Sequence, residues 1–371
     1  MLRIDALSEQ LNAIARRITD QPDLPFCTPG LAVVTRRADG AGARVFVGVD
    51  AAGTPIAEDT IFPLASTSKL ALGLAFLRLY ERGFVAFDDP LARYLPHAAA
   101  ATPDVTLRSL LCHTSGLPLD VDPIAAPLAP GLDWPQLAAV CLRTPPRSAT
   151  WESVQYSNVA YGLIALVMQH VSGCDFKQLL EDLVFAPLGI EAYVGCIPPR
   201  RPALVLDIDS AYVGTELELY NSPFSWQLGT PWAGIYSTAG GLLTLLDAYT
   251  DSGPDLIAPA TKAAVRTDQT RELPGGFATS DPFLGFKESR RIDWPHCAWG
   301  MIVEVRGDKW PHWSPRNASP TSFGQIGASG CVAWHDPTRS ASWAVLAPRT
   351  TDNGWLMRHA AAIGAAVLRR A

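Results

Sequence analysis

Lysine is scarce in this chain of 371 residues, and positive charge is not concentrated anywhere along it. Only five lysines occur, at positions 69, 177, 262, 287 and 309, and the formal net charge is −6. The absence of a basic run argues against nucleic-acid binding. Neither a Walker loop nor a Gly-x-Gly-x-x-Gly turn occurs, so we expect no nucleotide and no other cofactor.

Patterns of metal ligands are also missing. The seven cysteines include no Cys-x-x-Cys pair, and no His-Glu-x-x-His occurs. We therefore expect no metal site, and the cysteines are interpreted as buried free thiols. A Gly-x-Ser-x-Gly elbow is absent, which argues against an α/β-hydrolase triad. His113 could serve as a catalytic base, but anchoring the turn at Ser115-Gly116 is the favoured interpretation.

Long apolar runs are absent as well, and none could span a bilayer. The N-terminal residues include Asp5 and Glu9 where a signal peptide has its apolar core. Leu7, Leu11 and Ile18 instead fit one face of a helix. The sequence predicts a cytoplasmic protein, and it leaves the oligomeric state open.

One of the few lysines forms a motif, Ser66-Thr67-Ser68-Lys69. Residues three apart share a helix face, and residues 70–79 read as a buried helix. A buried lysine can lose its charge and accept the serine proton, so Ser66 is a candidate nucleophile with Lys69 as its base. The alternative is an ordinary first turn of a helix.

Two further motifs accompany this one. Tyr156-Ser157-Asn158 lies on a loop before a predicted helix that ends near Gly173. The alternative is that the motif has no catalytic role, in which case Tyr156 is a packed side chain and Asn158 turns or caps the chain. A glycine-rich stretch at residues 323–330 precedes a predicted strand, where glycine lets a ligand or another backbone approach closely. The alternative there is a simple bend between strands.

In this order and spacing, the three motifs resemble the serine β-lactamase and penicillin-binding protein superfamily, and most closely its class C β-lactamase-related group. That group includes esterases, D-amino-acid peptidases, amide hydrolases and acyltransferases. The stretches at residues 110–117, 156–162 and 235–242 also look like the group. The resemblance covers roughly residues 25–365.

The resemblance implies a role for each matching residue. Ser66 would be the acylated nucleophile, and Lys69 with Tyr156 would deprotonate it, Tyr156 also passing a proton to the leaving group. Asn158 would bind Lys69 and the substrate. The N–H groups of Ser66 and Ala328, the latter beside Gly327, would form the oxyanion hole.

The third motif departs from the group at Gln325-Ile326-Gly327. The group usually has Lys, His, Arg or Trp in the first position, and a Lys or His there helps to hold a substrate carboxylate. Gln325 is neutral and offers no charge-assisted hydrogen bond. We therefore expect a small-molecule ester with an uncharged acyl group. A β-lactamase, a D-amino-acid peptidase or acyltransferase, and a non-catalytic binding or sensor protein are the alternatives.

Strand candidates lie near both ends of the chain, at residues 31–35, 44–48, 297–305, 331–335 and 342–346, with a turn near residues 39–42. They predict an α+β, three-layer fold whose antiparallel sheet is built from both termini and flanked by helices. The predicted lobes are a sheet lobe of residues 1–69 and 236–371 and a mainly helical lobe of residues 70–235. The Trp-rich segment 270–320 is either a lid over the site or aromatic packing on the sheet.

Overall fold

The computed structural model describes residues 2–21, 24, 26–39, 42–270, 272–279 and 290–369. The strands are β1 (Gly30–Arg37), β2 (Arg44–Gly48), β3 (Phe62–Pro63), β4 (Ala192–Val194), β5 (Ile235–Ser237), β6 (Gly275–Thr279), β7 (Arg290–Trp294), β8 (Glu304–Val305), β9 (Phe323–Gly327), β10 (Cys331–Asp336) and β11 (Ala341–Leu346). The helices are α1 (Leu2–Thr19), α2 (Ser68–Glu81), α3 (Leu107–Leu111), α4 (Trp134–Arg143), α5 (Asn158–Ser172), α6 (Phe176–Leu180), α7 (Ala186–Leu188), α8 (Pro223–Leu228), α9 (Ala239–Asp247), α10 (Pro259–Arg266) and α11 (Trp355–Leu368).

The main sheet joins the two ends of the chain. Its six strands follow the order β2-β1-β11-β10-β9-β8, and neighbouring strands are antiparallel. Early strand β1 pairs with late strand β11, with Val33 opposite Val345. This pairing confirms the predicted α+β fold with an antiparallel sheet built from both termini.

Both faces of the sheet are covered, which explains why its central strands are apolar on both sides. Val33, Trp343 and their neighbours on one face pack against α1 and α11. Ala344 and its neighbours on the other face pack against α9 and the helices of the chain's middle section. The result is a layer of helices on each side of one sheet.

Helix α2 is the centre of the larger core and brings the Ser66 motif to the sheet. Every residue from Ser68 to Leu77 is buried, which confirms the prediction for residues 70–79. Gly73 packs against Ile302, and a Cβ at Gly73 would lie 2.5 Å from that side chain. Helix α5 ends, as predicted, at Gly173, which has a φ of 70°.

Two sequence-based expectations are wrong in detail. Residues 297–305 form only the two-residue strand β8, because Ile302 has a φ of 75° and its N–H bonds to the carbonyl of Leu111 outside the sheet. Five cysteines are buried free thiols, but Cys174 and Cys196 are exposed. The expected turn at residues 39–42 lies partly outside the described residues, and the lobe boundaries stay a prediction.

No described helix is by itself both long and apolar enough to cross a membrane. One sharply bent pair, Asn158–Ser172 with Phe176–Leu188, passes that test jointly, by length and composition alone.

Candidate active site

Ser66 lies in a strained turn directly before α2. The 3-10 turn Ala65–Thr67 runs into that helix, and Ala65 has a φ of 44°, which side-chain-bearing residues seldom adopt. Such conformations persist only when the surrounding structure holds them, and they cluster at functional sites. Ser66 is half-buried between buried neighbours, so part of this residue is exposed to solvent.

Three side chains hold this turn in place. Thr67 Oγ1 donates to the Leu64 carbonyl at 2.7 Å, and Cys331 Sγ donates to the same oxygen at 3.1 Å. Ser329 Oγ donates to the Pro63 carbonyl at 2.5 Å. Because Ser329 and Cys331 follow β9, the end of that strand is tied to the turn that carries Ser66.

Gly327 allows this close approach. A Cβ at Gly327 would lie 2.5 Å from the Leu64 carbonyl oxygen and 2.6 Å from Cys331 Sγ, closer than real Cβ atoms come to other atoms. The next residue, Ala328, is exposed, and no described residue accepts a hydrogen bond from its N–H. This N–H group is therefore available to a ligand beside the Ser66 turn.

Lys69 is fully buried and points at Ser66. Its Nζ lies 2.7 Å from Asn158 Oδ1, 3.2 Å from the Trp232 carbonyl oxygen and 3.4 Å from Ser66 Oγ. Burial lowers the pKa of Lys69 to about 7, against the opposing effect of the negative Asp120. A substantial fraction of Lys69 is therefore neutral at physiological pH, when its nitrogen carries a lone pair.

Asn158 connects Lys69 to a carboxylate that the sequence did not single out. Asn158 is the first residue of α5, after the Ser157 cap. Its Nδ2 donates to Asp120 Oδ2 at 3.1 Å, while its Oδ1 accepts from Lys69. Since Asp120 only accepts, it fixes which end of the Asn158 amide faces the lysine. Asp120 lies in the loop after His113, and no pattern in the sequence marks it.

Tyr156 packs under Lys69 with its hydroxyl near Ser66. Lys69 Nζ is 4.7 Å from the centre of the Tyr156 ring. The Tyr156 hydroxyl is buried and has no hydrogen bond of ordinary geometry to any described residue. Burial raises the pKa of the Tyr156 phenol, although the nearby Ser66 hydroxyl opposes that rise. Tyr156 is therefore a neutral phenol with its proton still to donate.

His113 supports Tyr156 and does not contact Ser66 among the described interactions. The two rings stack with centres 4.3 Å apart. His113 Nδ1 accepts the Ser157 N–H at 3.0 Å, so that nitrogen carries no proton. Burial and the nearby Lys69 keep the pKa of His113 well below its usual range. These contacts favour a positioning role over a catalytic base.

Gln325 lies on β9, two residues before Gly327. Its side chain is fully buried, and its Nε2 donates to the Ile302 carbonyl at 2.5 Å, leaving Oε1 without a partner among the described residues. The structure brings together four of the predicted site residues: Ser66, Lys69, Tyr156 and Asn158. Gly327 and Ala328 lie beside them. A contact between Gln325 and substrate stays a prediction.

A buried cluster of charged side chains lies behind Tyr156, and the sequence did not predict it. Glu304 accepts from both Lys309 and His312, and all three side chains are inaccessible to solvent. Trp299 separates this cluster from the site, and the centre of its ring lies 5.8 Å from the centre of the Tyr156 ring. The cluster draws its members from the Trp-rich segment, in which Trp294, Trp299 and Trp313 are buried. For these three, the structure favours packing over a lid.

No group of three or more histidine, cysteine, aspartate or glutamate side chains suited to a metal ion occurs within the described residues. The candidate site itself presents a hydroxyl, an amine, a phenol and an amide.

Comparison with known proteins finds similarity along most of the chain. A family model described as Beta-lactamase matches residues 27–367. Esterase EstB of Burkholderia gladioli is 30% identical over 334 residues, which cover 79% of this chain and 78% of EstB. The D-alanyl-D-alanine-carboxypeptidase/endopeptidase AmpH of Escherichia coli (strain K12) is 28% identical over 208 residues, 52% of this chain and 50% of AmpH. The chain thus spans about half the length of AmpH.

Among solved structures, EstCE1, described as a hydrolase with promiscuous acyltransferase activity, has a TM-score of 0.72. Its sequence identity is 19%, and the match covers 97% of this chain and 100% of EstCE1, which is a likeness of fold. Because the family match extends over most of the chain and EstB is similar along more than three quarters of it, this protein belongs to the Beta-lactamase family.

Proposed function

We propose that this protein hydrolyses carboxylesters with uncharged acyl groups through an acyl-Ser66 intermediate. The hydrogen bonding of Lys69 is the observation that carries the proposal. A neutral lysine has two N–H bonds, and two of its three contacts, Asn158 Oδ1 and the Trp232 carbonyl, can only accept. The lone pair is left for the third contact, the Ser66 hydroxyl.

In the acylation step, Ser66 Oγ attacks the ester carbonyl while its proton moves to Lys69 Nζ. The N–H groups of Ser66 and Ala328 stabilise the oxyanion, a contribution that can reach about 3–4 kcal/mol of barrier. The carbon–oxygen bond to the alcohol then breaks, and the leaving oxygen takes the proton of Tyr156. Lys69 returns a proton to Tyr156, and water attacks the acyl-Ser66 ester to complete turnover.

The acid and the base are separated by their pKa values. Burial lowers the pKa of Lys69 to about 7 but raises that of Tyr156. Lys69 is therefore suited to accept the first proton, and Tyr156 to donate the second.

Other acyl acceptors and substrates are the alternatives. AmpH, a carboxypeptidase, and EstCE1, a hydrolase with acyltransferase activity, motivate a peptidase or acyltransferase reading, which shares the acylation half of the reaction. A ligand-binding protein without turnover is the alternative from another class. The cytoplasmic location stays a prediction from the sequence.

The direct test measures hydrolysis of p-nitrophenyl butyrate and of a chromogenic cephalosporin side by side. We expect turnover of the ester and little cleavage of the cephalosporin. The reason is that the neutral Gln325 offers no positive charge to the cephalosporin carboxylate. Faster cleavage of the cephalosporin would contradict the esterase assignment in favour of a β-lactamase. Failure to turn over either substrate would favour the binding protein.

The pH dependence of kcat/KM reports the state of Lys69. Because burial lowers the pKa of Lys69 to about 7, protonated Lys69 predominates below that pH and the base is lost. We expect kcat/KM for p-nitrophenyl butyrate to rise as the pH increases through about 7. A profile that is flat between pH 5 and pH 9 would contradict this assignment.

Enlarging Gly327 should separate β9 from the Ser66 turn. In Gly327→Ala, the new Cβ meets the Leu64 carbonyl oxygen and Cys331 Sγ. Either the backbone of residue 327 or these neighbouring atoms must therefore shift. A displacement of about 1 Å near reacting groups costs about a hundredfold in rate, which is the loss we expect in kcat/KM. Gly240→Ala is the control, because a Cβ there meets only Thr238 Oγ1, at 3.8 Å. Equal activities in the two variants would contradict the importance of this contact.

A further inference from the structure

Asp120 places an unpaired carboxylate beside the candidate catalytic groups. Its side chain is solvent-exposed, yet protein surrounds it closely enough that burial raises the pKa of its carboxyl. The Asp120 oxygens accept from the Val121 N–H at 3.0 Å and from Asn158 Nδ2 at 3.1 Å. These bonds favour the charged form.

No described lysine, arginine or histidine forms an ion pair with Asp120. Lys69 is the nearest positive group that influences it, and Asn158 lies between the two. A carboxylate has room for about four hydrogen bonds, so Asp120 can still accept from a ligand. Asp120 differs from an ordinary surface aspartate because two hydrogen bonds, both made by Asn158, connect it to Lys69.

The charges around Ser66 are therefore biased in one direction. When Lys69 is neutral and ready to act as a base, Asp120 contributes a negative charge that forms no ion pair with a described lysine, arginine or histidine. Gln325, the position at which a positive side chain would attract a carboxylate, is neutral and fully buried. The field of the site then attracts cations and repels anions.

We propose that Asp120 is a specificity-determining residue that selects esters and amides with an ammonium group on the acyl chain. The ammonium would donate to the free positions of the Asp120 oxygens while the carbonyl carbon lies at Ser66 Oγ. Aminoacyl esters and amides are the substrate class. The inference rests on the proposed function and extends it from neutral acyl groups to positively charged ones.

The test compares four methyl esters of similar size at pH 7 by pH-stat titration. Methyl butyrate is neutral, methyl α-aminobutyrate and methyl β-alaninate carry an ammonium, and monomethyl succinate carries a carboxylate. We expect wild-type kcat/KM to be highest for at least one ammonium ester, about tenfold above methyl butyrate, and lowest for the succinate. Background hydrolysis is measured with Ser66→Ala.

Variants of Asp120 test whether this residue is the cause. In Asp120→Asn the ratio of kcat/KM for the ammonium ester to that for methyl butyrate should fall about tenfold. In Asp120→Lys the preference should reverse towards the succinate. Asp122→Asn is the matched control: Asp122 is exposed, two residues away, and its side chain accepts from the Ile124 N–H. That ratio should stay unchanged in the control.

Two kinds of failure are distinguishable. Hydrolysis of methyl butyrate without preference for the ammonium esters, or an equal ratio in wild type and Asp120→Asn, would overturn the assignment of Asp120 alone. Absence of Ser66-dependent hydrolysis of all four esters would overturn the proposed function and this inference with it.

Discussion

Replacing Ser66 by alanine should abolish ester hydrolysis and leave the fold intact. The hydroxyl is half-buried, faces Lys69 and lies in a turn that other side chains hold in place. Without it no acyl-enzyme can form, and loss of a nucleophile typically costs far more than a factor of about 10³ in kcat. We expect at least that loss for p-nitrophenyl butyrate.

Stability should change little in this variant. One hydrogen bond contributes about 0.5–1.5 kcal/mol, which corresponds to only a few degrees in the melting temperature of a protein this large. Ser172→Ala is the control, because Ser172 is also half-buried and donates to the Met168 carbonyl, in a different region of the chain. Activity of Ser66→Ala within about tenfold of wild type would exclude Ser66 as the nucleophile, since no nucleophile can be so dispensable.

Replacing Lys69 by methionine should reduce kcat/KM by about a hundredfold or more, as losses of a general base do. Methionine fills a similar volume but cannot accept the Ser66 proton. The rise in activity through pH 7 should also disappear, because the group whose pKa burial lowers to about 7 is gone. Stopped assays across pH 5 to pH 9 measure both effects.

Lys262 provides a matched control for this change. It is also a buried lysine, 2% exposed, and its Nζ donates to the carbonyls of Thr250 and Pro254. Lys262→Met therefore removes a buried ammonium and leaves two carbonyls unsatisfied without touching the candidate site. We expect it to lower the melting temperature while keeping the pH profile. A normal rate at pH 7 in Lys69→Met would mean that another group is the base.

The fold could be predicted where the sequence carries a strong local pattern. Helix α2 is apolar from Leu70 to Leu77, β1 and β2 contain short apolar runs, and Gly173 ends α5 with the backbone conformation that glycine favours. Residues 297–305 look equally apolar but form mostly irregular structure. Tertiary contacts decide there, because Ile302 packs against Gly73 and its N–H bonds to Leu111.

The site residues also divide into those that a local sequence pattern predicts and those that only tertiary contacts bring to the site. Two short sequence motifs contain Ser66, Lys69, Tyr156 and Asn158, so these residues could be recognised from the sequence alone. Asp120 and Trp232 reach the site from separate loops, the second through a backbone carbonyl, for which the identity of the side chain gives no signal. The buried Glu304–Lys309 pair has irregular spacing, and only the packed structure shows that Trp299 places it behind Tyr156.

Mass spectrometry of peptides from the acylated protein tests directly whether Ser66 is the nucleophile. Wild type is quenched in acid during turnover of p-nitrophenyl butyrate and digested, and the peptide that contains Ser66 is examined. We expect a mass increase of one butyryl group on Ser66, absent from Ser66→Ala. A butyryl group on any other residue, or ester turnover with no acylated Ser66 under conditions that accumulate the intermediate, would contradict it.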